Sequence, residues 1–381
     1  MADAFKNLIN PTIIAFAAEH LQRAAASFDA QAFVRSATAG LDSLEFKARA
    51  MHVCDALQMY LPQDFEAAAQ IIERSLAPAT GFDAKGEPTG LGSAHAEGVS
   101  GWMVWSLGEY VVRAGMQQPE RALACLHALT QRFSAEFAIR PFLITYPQLS
   151  YSYLHRWLSD PSPHVRRLVS EGSRPRLPWG LRLQALVINP EPSWTLLRAL
   201  QDDTSAYVRR SVANHLNDIA KDHPNAVAAY LHTQLQNAPK NRVALLRHAS
   251  RSLIKKGHAA TLAAWDLQSG LKGLANLSLH KARVVVGGQI TFEIELHSHS
   301  DASQALIVDY AVHFVMASGK RSAKVFKGWK RDLTANERCV MQKSHSFKVI
   351  TTRKYYAGMH ALELLVNGES RGMCEFELTF K

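Results

Sequence analysis

The sequence predicts a mainly α protein: a HEAT-like helical-repeat solenoid over residues 1–270, followed by an all-β immunoglobulin-like sandwich over residues 271–381. Two observations carry the helical part. Apolar residues recur at helical spacing from residue 11 onward, as in amphipathic helices. One word also occurs twice: Asp160 stands five residues before Val165-Arg166-Arg167, and Asp203 five residues before Val208-Arg209-Arg210. The offset of 43 residues matches one hairpin of a stacked helical repeat. The third observation is a change of period to two from about residue 272, which marks half-buried strands.

Asn10-Pro11-Thr12 reads as a turn and helix start. The apolar-periodic and Ala-rich stretches behind it, to Leu76, form an N-terminal helical layer in which His52 and Cys54 are packing residues. Residues 77–101 are rich in Gly, Ala and Pro and read as a loop; the chain has no GxxxxGK[ST], which argues against a nucleotide P-loop. Trp102, Trp105, Leu107, Tyr110 and Val111 follow as a buried stripe. Glu136 stands just before Arg140-Pro141, where a carboxylate near a helix end is unfavourable. Spacing alone favours an i, i+4 ion pair with Arg140, and a role in a site is the alternative. In each repeated hairpin the Asp is expected to cap the second helix and the Val to begin its buried stripe. The Arg pairs then recur on equivalent turns as a basic ladder on one face. Residues 241–257 form a weaker third unit, with Gly257 as its C-cap.

Alternation then takes over: Ile290/Phe292/Ile294/Leu296, Leu306/Val308/Tyr310/Val312/Phe314, His345/Phe347/Val349, Leu362/Leu364/Val366 and Phe376/Leu378/Phe380. Asn367-Gly368 is a type I′ hairpin signal. About seven short strands in this span argue for the sandwich. Lys320, Arg321, Lys324, Lys327, Lys330 and Arg331 gather around Trp329, either as a solvated hairpin or as a contact to a nucleic-acid backbone.

Composition is that of a soluble globular protein, 47% apolar and 20% charged, and no apolar run is long enough to span a membrane. Nothing at the start reads as a secretory signal. The four cysteines are scattered, so neither a zinc site nor a disulfide framework is expected and a reducing cytoplasm fits. The net charge of +10 is uneven: residues 1–130 are net acidic, and the excess of Arg and Lys lies beyond them. Arg predominates in the middle third, which suits phosphate contacts, and a basic face of this kind points to a polyanion.

Two words remain that a scaffold does not need, VRRLVSEGSRPRLPWG and RRSVANHLNDIAKDHP. Here the chain resembles the HEAT-repeat alkylpurine DNA glycosylases, and in particular the AlkC branch, whose longer members carry a C-terminal immunoglobulin-like domain. The resemblance covers essentially the whole chain. It implies a monofunctional DNA repair glycosylase, working without cofactor or metal, that removes 3-methyladenine and methylated cytosine such as 3-methylcytosine from duplex DNA. It also implies a bent duplex rather than full base flipping. Carried residue by residue, the family's acids fall on Glu136, Glu171 and Asp218 and its active-site aromatic on Trp179. Arg166, Arg167, Arg174, Arg176, Arg209 and Arg210, with Lys327 and Lys330 in the sandwich, are expected on the DNA backbone. A monomer in a bacterial-type cytoplasm is expected. The competing readings are a non-enzymatic repeat scaffold and a sensor of damaged DNA.

The chemistry agrees with that residue set. A base methylated on a ring nitrogen is a cation and already a good leaving group, so a strong general acid is not needed. Positive charge builds on the sugar as the bond breaks, and carboxylates near it help, as they do for glycosidases.

Overall fold

The computed structural model describes residues 5–84, 86–92, 95–267, 270–350 and 353–380. Sixteen α-helices lie among these residues: α1 (Pro11–Ala24), α2 (Ala30–Thr38), α3 (Phe46–Tyr60), α4 (Phe65–Ser75), α5 (Met103–Gly115), α6 (Pro119–Thr130), α7 (Ile139–Thr145), α8 (Pro147–Trp157), α9 (Pro163–Gly172), α10 (Gln184–Ile188), α11 (Glu191–Leu200), α12 (Ala206–Ile219), α13 (Pro224–Gln234), α14 (Lys240–Ala249), α15 (Arg251–Lys255) and α16 (Ala259–Ala264). The chain then turns to strands at Gly273. Packing divides it into two compact units, Met1–Asp222 with Lys240–Ala249, and His223–Pro239 with Ser250–Lys381. Among the described residues no helix is long and apolar enough to cross a membrane.

Helix starts are written locally. The Asn10 side chain accepts from the Ile13 N–H at 3.0 Å ahead of Pro11, and Asp29 and Asp64 do the same for α2 and α4. Proline opens α1, α6, α8, α9 and α13, where a missing N–H costs nothing. Trp105, Leu107, Tyr110 and Val111 are buried as expected, whereas Trp102 is only half-buried. The 77–101 segment is irregular but tied down: Leu76 bridges Val99, and Phe82 bridges Pro88. Gly98 fits because a Cβ there would lie 2.2 Å from the Ala77 nitrogen.

The two copies of the repeated word open α9 and α12, which pack on each other. Val165, Leu168 and Val169, and in the second copy Val208, Val212 and Leu216, are fully buried. The expected Asp cap is corrected. Ser162 and Ser205 hold the cap positions, and Asp160 and Asp203 accept from their N–H groups at 2.8 Å. A short carboxylate bonds the backbone two residues on, so each Asp shapes the turn into the helix rather than the helix end. Arg166 and Arg209 reinforce that turn in the same way, Arg166 donating to the carbonyls of Asp160 and Pro161, and Arg209 to those of Asp203 and Thr204.

Arg166 also forks onto both Asp203 oxygens, at 2.6 and 3.0 Å. It is a strut between hairpins. Asp203 is only 5% exposed at its side chain, so Arg166→Ala strands a desolvated carboxylate. The expected loss is about 3 kcal/mol of stability, read as a lower urea midpoint at unchanged slope. A loss below about 0.5 kcal/mol would class the pair with screened surface bridges.

Among the described residues the strand-rich part holds eight strands rather than about seven: β1 (Gly273–Leu279), β2 (Arg283–Val285), β3 (Gln289–Ser298), β4 (Gln304–Val315), β5 (Arg321–Leu333), β6 (Arg338–Ser346), β7 (Gly358–Val366) and β8 (Glu369–Thr379). The extra one, β2, is three residues long and pairs parallel with β8, too short to leave an alternation. Two sheets form, β1-β3-β6 and β2-β8-β7-β4-β5. The alternating residues of β3, β4 and β7, with Phe347, Phe376 and Leu378, fill one core. Asn367 and Gly368 both take positive φ, 49° and 81°, as a type I′ turn requires. The β4–β5 register slips between Val308 and Tyr310. Gly328 sits opposite the slip, where a Cβ would lie 2.1 Å from the Val308 carbonyl oxygen.

Two histidines are buried in this core, His345 and His360. Burial pushes His345 down to about 4, and Arg353 and Lys324 push in the same direction; burial also lowers His360. The unfolded chain therefore binds protons more readily, around pH 6.5. The stability linked to these groups is complete above that pH and lost as pH falls toward 4. A melting temperature that drops steadily between pH 7 and pH 5 is expected; a flat one would contradict the burial.

Candidate active site

Residues 173–183 connect α9 to α10 without helix or strand, because Pro175 and Pro178 withhold backbone donors. The Ser173 hydroxyl closes the end of α9 by donating to the Val169 carbonyl at 2.6 Å. The connection passes Trp179, whose φ of 64° lies in the left-handed region that L residues seldom occupy. Trp179 is 60% exposed. Its ring centroid lies 5.7 Å from that of Phe5 and 6.2 Å from that of Phe46.

Trp179 is one of the residues lining a cavity of about 460 Å³. Its polar lining is Glu136, Glu171, Arg167, Arg174 and Ser134; its walls include Trp102, Phe133, Phe137 and Tyr207. Glu136 is not paired with Arg140 as spacing had favoured. It precedes α7 in a turn, accepts from the Ser134 hydroxyl at 2.6 Å and pairs with Arg167 at 2.9 Å. The i, i+4 argument needed a continuous helix, and the helix starts only at Ile139. Arg140 points elsewhere: it is fully buried and donates to the carbonyls of Gly172 and Leu181.

Glu171 is held from three sides. Oε1 accepts from Arg174 at 2.6 Å and lies 3.6 Å from Arg167; Oε2 accepts from the Ser211 hydroxyl at 2.6 Å. Burial alone would push its carboxyl up, but the two guanidiniums and the Ser211 hydroxyl outweigh burial and hold it below the ordinary carboxylate value. Asp218, only 1% exposed, takes Arg174 at 2.8 Å and Lys221 at 2.7 Å. Glu136, Arg167, Glu171, Arg174, Asp218 and Lys221 thus form one chain of alternating charge. The first four face the cavity, and Asp218 stands behind Arg174. His215 is fully buried, its Nδ1 2.9 Å from the Ser170 carbonyl oxygen. Burial, then Arg174, lower it to about 3, so it is neutral near pH 7 and sits outside the cavity lining.

The expected Arg ladder is not an open basic face. Arg167 and Arg174 are turned into the cavity, Arg166 into the strut, and Arg176 forks onto Asp222 at 2.6 Å. Arg210, on the more open end, forks onto Glu87 of the 77–101 segment, and Leu91 of the same segment reaches the cavity. Lys327 and Lys330 lie exposed on β5, an outer strand of its sheet. Sequence reasoning missed Ser134, Ser211, Phe133, Phe137 and Tyr207. One signal existed for Tyr207: it precedes the buried Val of the second copy as His164 precedes that of the first, and the two rings sit 5.7 Å apart. Among the described residues no group of three or more His, Cys, Asp or Glu side chains is placed to hold a metal ion.

Residues 273–380 match the family model described as the C-terminal Ig-like domain of uncharacterised protein YhaZ. The chain is 34% identical to the uncharacterized protein YhaZ of Bacillus subtilis (strain 168), covering 99% of this chain and 100% of that one. Among solved structures it is similar to Pseudomonas fluorescens alkylpurine DNA glycosylase AlkC bound to DNA containing an abasic site analog. That similarity has a TM-score of 0.88 and 34% identity, and covers 99% of both chains.

Proposed function

The chain belongs to the AlkC branch of the alkylpurine DNA glycosylases and carries a C-terminal immunoglobulin-like domain, and from that premise we propose that it is a monofunctional glycosylase hydrolysing the N-glycosidic bond of cationic N-methylated bases in duplex DNA. The substrates are 3-methyladenine and 3-methylcytosine, the product an abasic site. One observation carries the reading: Glu136, Glu171 and an exposed Trp179 converge on a single cavity.

The leaving base is a cation and needs no proton, which suits Glu171, a carboxylate held below its ordinary value rather than raised into the range of general acids. Glu171 faces the sugar as it becomes an oxocarbenium ion, and Glu136 orients the water that captures it. A carboxylate about 4 Å from that cation contributes roughly 4 kcal/mol at an effective dielectric of about 20, about a thousandfold in rate. Arg167 and Arg174 keep the carboxylates together in the free protein and offset their repulsion of nearby phosphates. Trp179 offers its face to the cationic base or sugar. Its exposure at the cavity lining supports a lesion exposed by bending rather than a nucleotide swung fully into a deep pocket.

The helical domain, residues 1–270 with HEAT-like repeats, supplies this chemistry, and the sandwich, 271–381, adds phosphate contacts. Arg176, Arg209 and Arg210 are the helical-domain residues proposed on the backbone, with Lys327 and Lys330 on β5. Replacing both lysines by Gln is expected to weaken binding to all duplexes and to lower the slope of log affinity against log salt by about two; an unchanged slope removes them from the interface.

The deciding experiment incubates the protein with methylated duplex DNA and measures 3-methyladenine and 3-methylcytosine released. Tight binding with no base released would mean a lesion sensor instead.

A further inference from the structure

Arg140 is the largest fully buried side chain of the described residues. An arginine in that position is costly unless its geometry is used. Its Nε donates to the Leu181 carbonyl at 2.5 Å and its Nη1 to the Gly172 carbonyl at 2.7 Å. Those two carbonyls bracket residues 173–180, the stretch that contains Arg174 and Trp179. The stretch is seated tightly on α7. A Cβ at Gly172 would come within 2.6 Å of Ile139, and one at Gly180 would meet Leu177 at 3.1 Å and the Arg140 Nε at 3.2 Å. Trp179 is mostly exposed and its backbone is strained, so burial does not hold it there.

We propose that Arg140 is the positioning residue of this site: its guanidinium bridges both ends of the 173–180 stretch and thereby fixes the Trp179 ring at the cavity lining. The guanidinium reaches the two carbonyls with two separate nitrogens held in one rigid plane; a lysine ammonium has three donors, but all leave a single atom on a flexible stem. The inference rests on the glycosylase reading above.

The test is Arg140→Lys, alone and combined with Trp179→Ala, with kcat for 3-methyladenine release, affinity for undamaged duplex and melting temperature measured on each. A displaced aromatic costs up to about a hundredfold. Arg140→Lys is expected to lower kcat about thirtyfold while affinity stays within about twofold. In the Trp179→Ala background the same change should cost less than about twofold, because residues acting through one another do not add. A full thirtyfold further loss in that background overturns the proposal, as does an unchanged kcat in the single variant. Should Arg140→Lys fail to melt cooperatively, Gly180→Ala substitutes for it: it keeps the charge and crowds Leu177 and the Arg140 Nε, at 3.1 and 3.2 Å from the added Cβ, with the same pattern expected. Wild type run alongside separates the two readings, since absence of base release there refutes the glycosylase and not the clamp. The clamp is then decided by Trp179 emission, taken as the difference between wild type and Trp179→Phe. That difference spectrum shifts in the Arg140→Lys background if the clamp holds, and its staying unchanged overturns it.

Discussion

Glu171→Gln is expected to lower kcat for base release about a thousandfold while affinity for undamaged duplex stays within about threefold. The substitution keeps shape and keeps an acceptor for the Ser211 hydroxyl; what it removes is the charge and the acceptor that Oε1 offers Arg174. That charge is worth roughly 4 kcal/mol beside a sugar cation, and its loss also leaves Arg167 and Arg174 facing the same cation less well balanced. Neither arginine is orphaned, because Arg167 retains Glu136 and Arg174 retains Asp218. The fold should therefore survive, and the loss should fall on kcat rather than KM. A pH series gives a second check. Burial would push the carboxyl up, but the arginines hold it below the ordinary value, so Glu171 stays ionised and kcat should show no acidic limb above about pH 4.5. Glu171→Gln with wild-type kcat would falsify the assignment.

The two-part architecture was legible because period is a direct print of burial. Val165 and Val208 read as buried and are; Asn367-Gly368 read as a tight turn and has the φ values for it. Glu171 and Trp179 were legible as words, and both line the cavity. Asp218 was read from the same words as an acid of the site, whereas it stands behind Arg174 and outside the cavity lining. What spacing missed was partnership across the fold. Glu136 takes Arg167, on another helix, rather than Arg140 four residues on, because a turn interrupts the helix that spacing assumed. Arg166, Arg167 and Arg174 looked like one solvent face because their spacing says nothing of the carboxylates opposite, and each found one. Asp160 and Asp203 had the residue type of a cap, but a turn two residues earlier uses the same carboxylate equally well. The 77–101 segment has no periodicity, so its contribution through Glu87 and Leu91 left no mark.

Asp218→Asn is the second large effect, and it differs in kind. Asp218 does not line the cavity; it touches Arg174 on one oxygen and Lys221 on the other. Asn retains one acceptor for Arg174 but removes the charge that balances a buried guanidinium. The expected stability loss is about 2 kcal/mol, toward the lower end for an uncompensated buried ion. Activity should fall about a hundredfold, because Arg174, balanced then by Glu171 alone, draws that carboxylate away from the sugar. The route is testable: with Arg174 already changed to Gln, Asp218→Asn should cost less than about threefold in kcat, whereas an acid acting on the sugar directly would cost the full hundredfold there too. Lys221→Met supplies the contrast. Lys221 is about half exposed, at 46% of its side chain, so its removal should cost under about 0.5 kcal/mol and leave kcat unchanged. If Lys221→Met damages release as much as Asp218→Asn does, the charge chain runs outward to solvent, and Arg174 is not the link through which Asp218 acts.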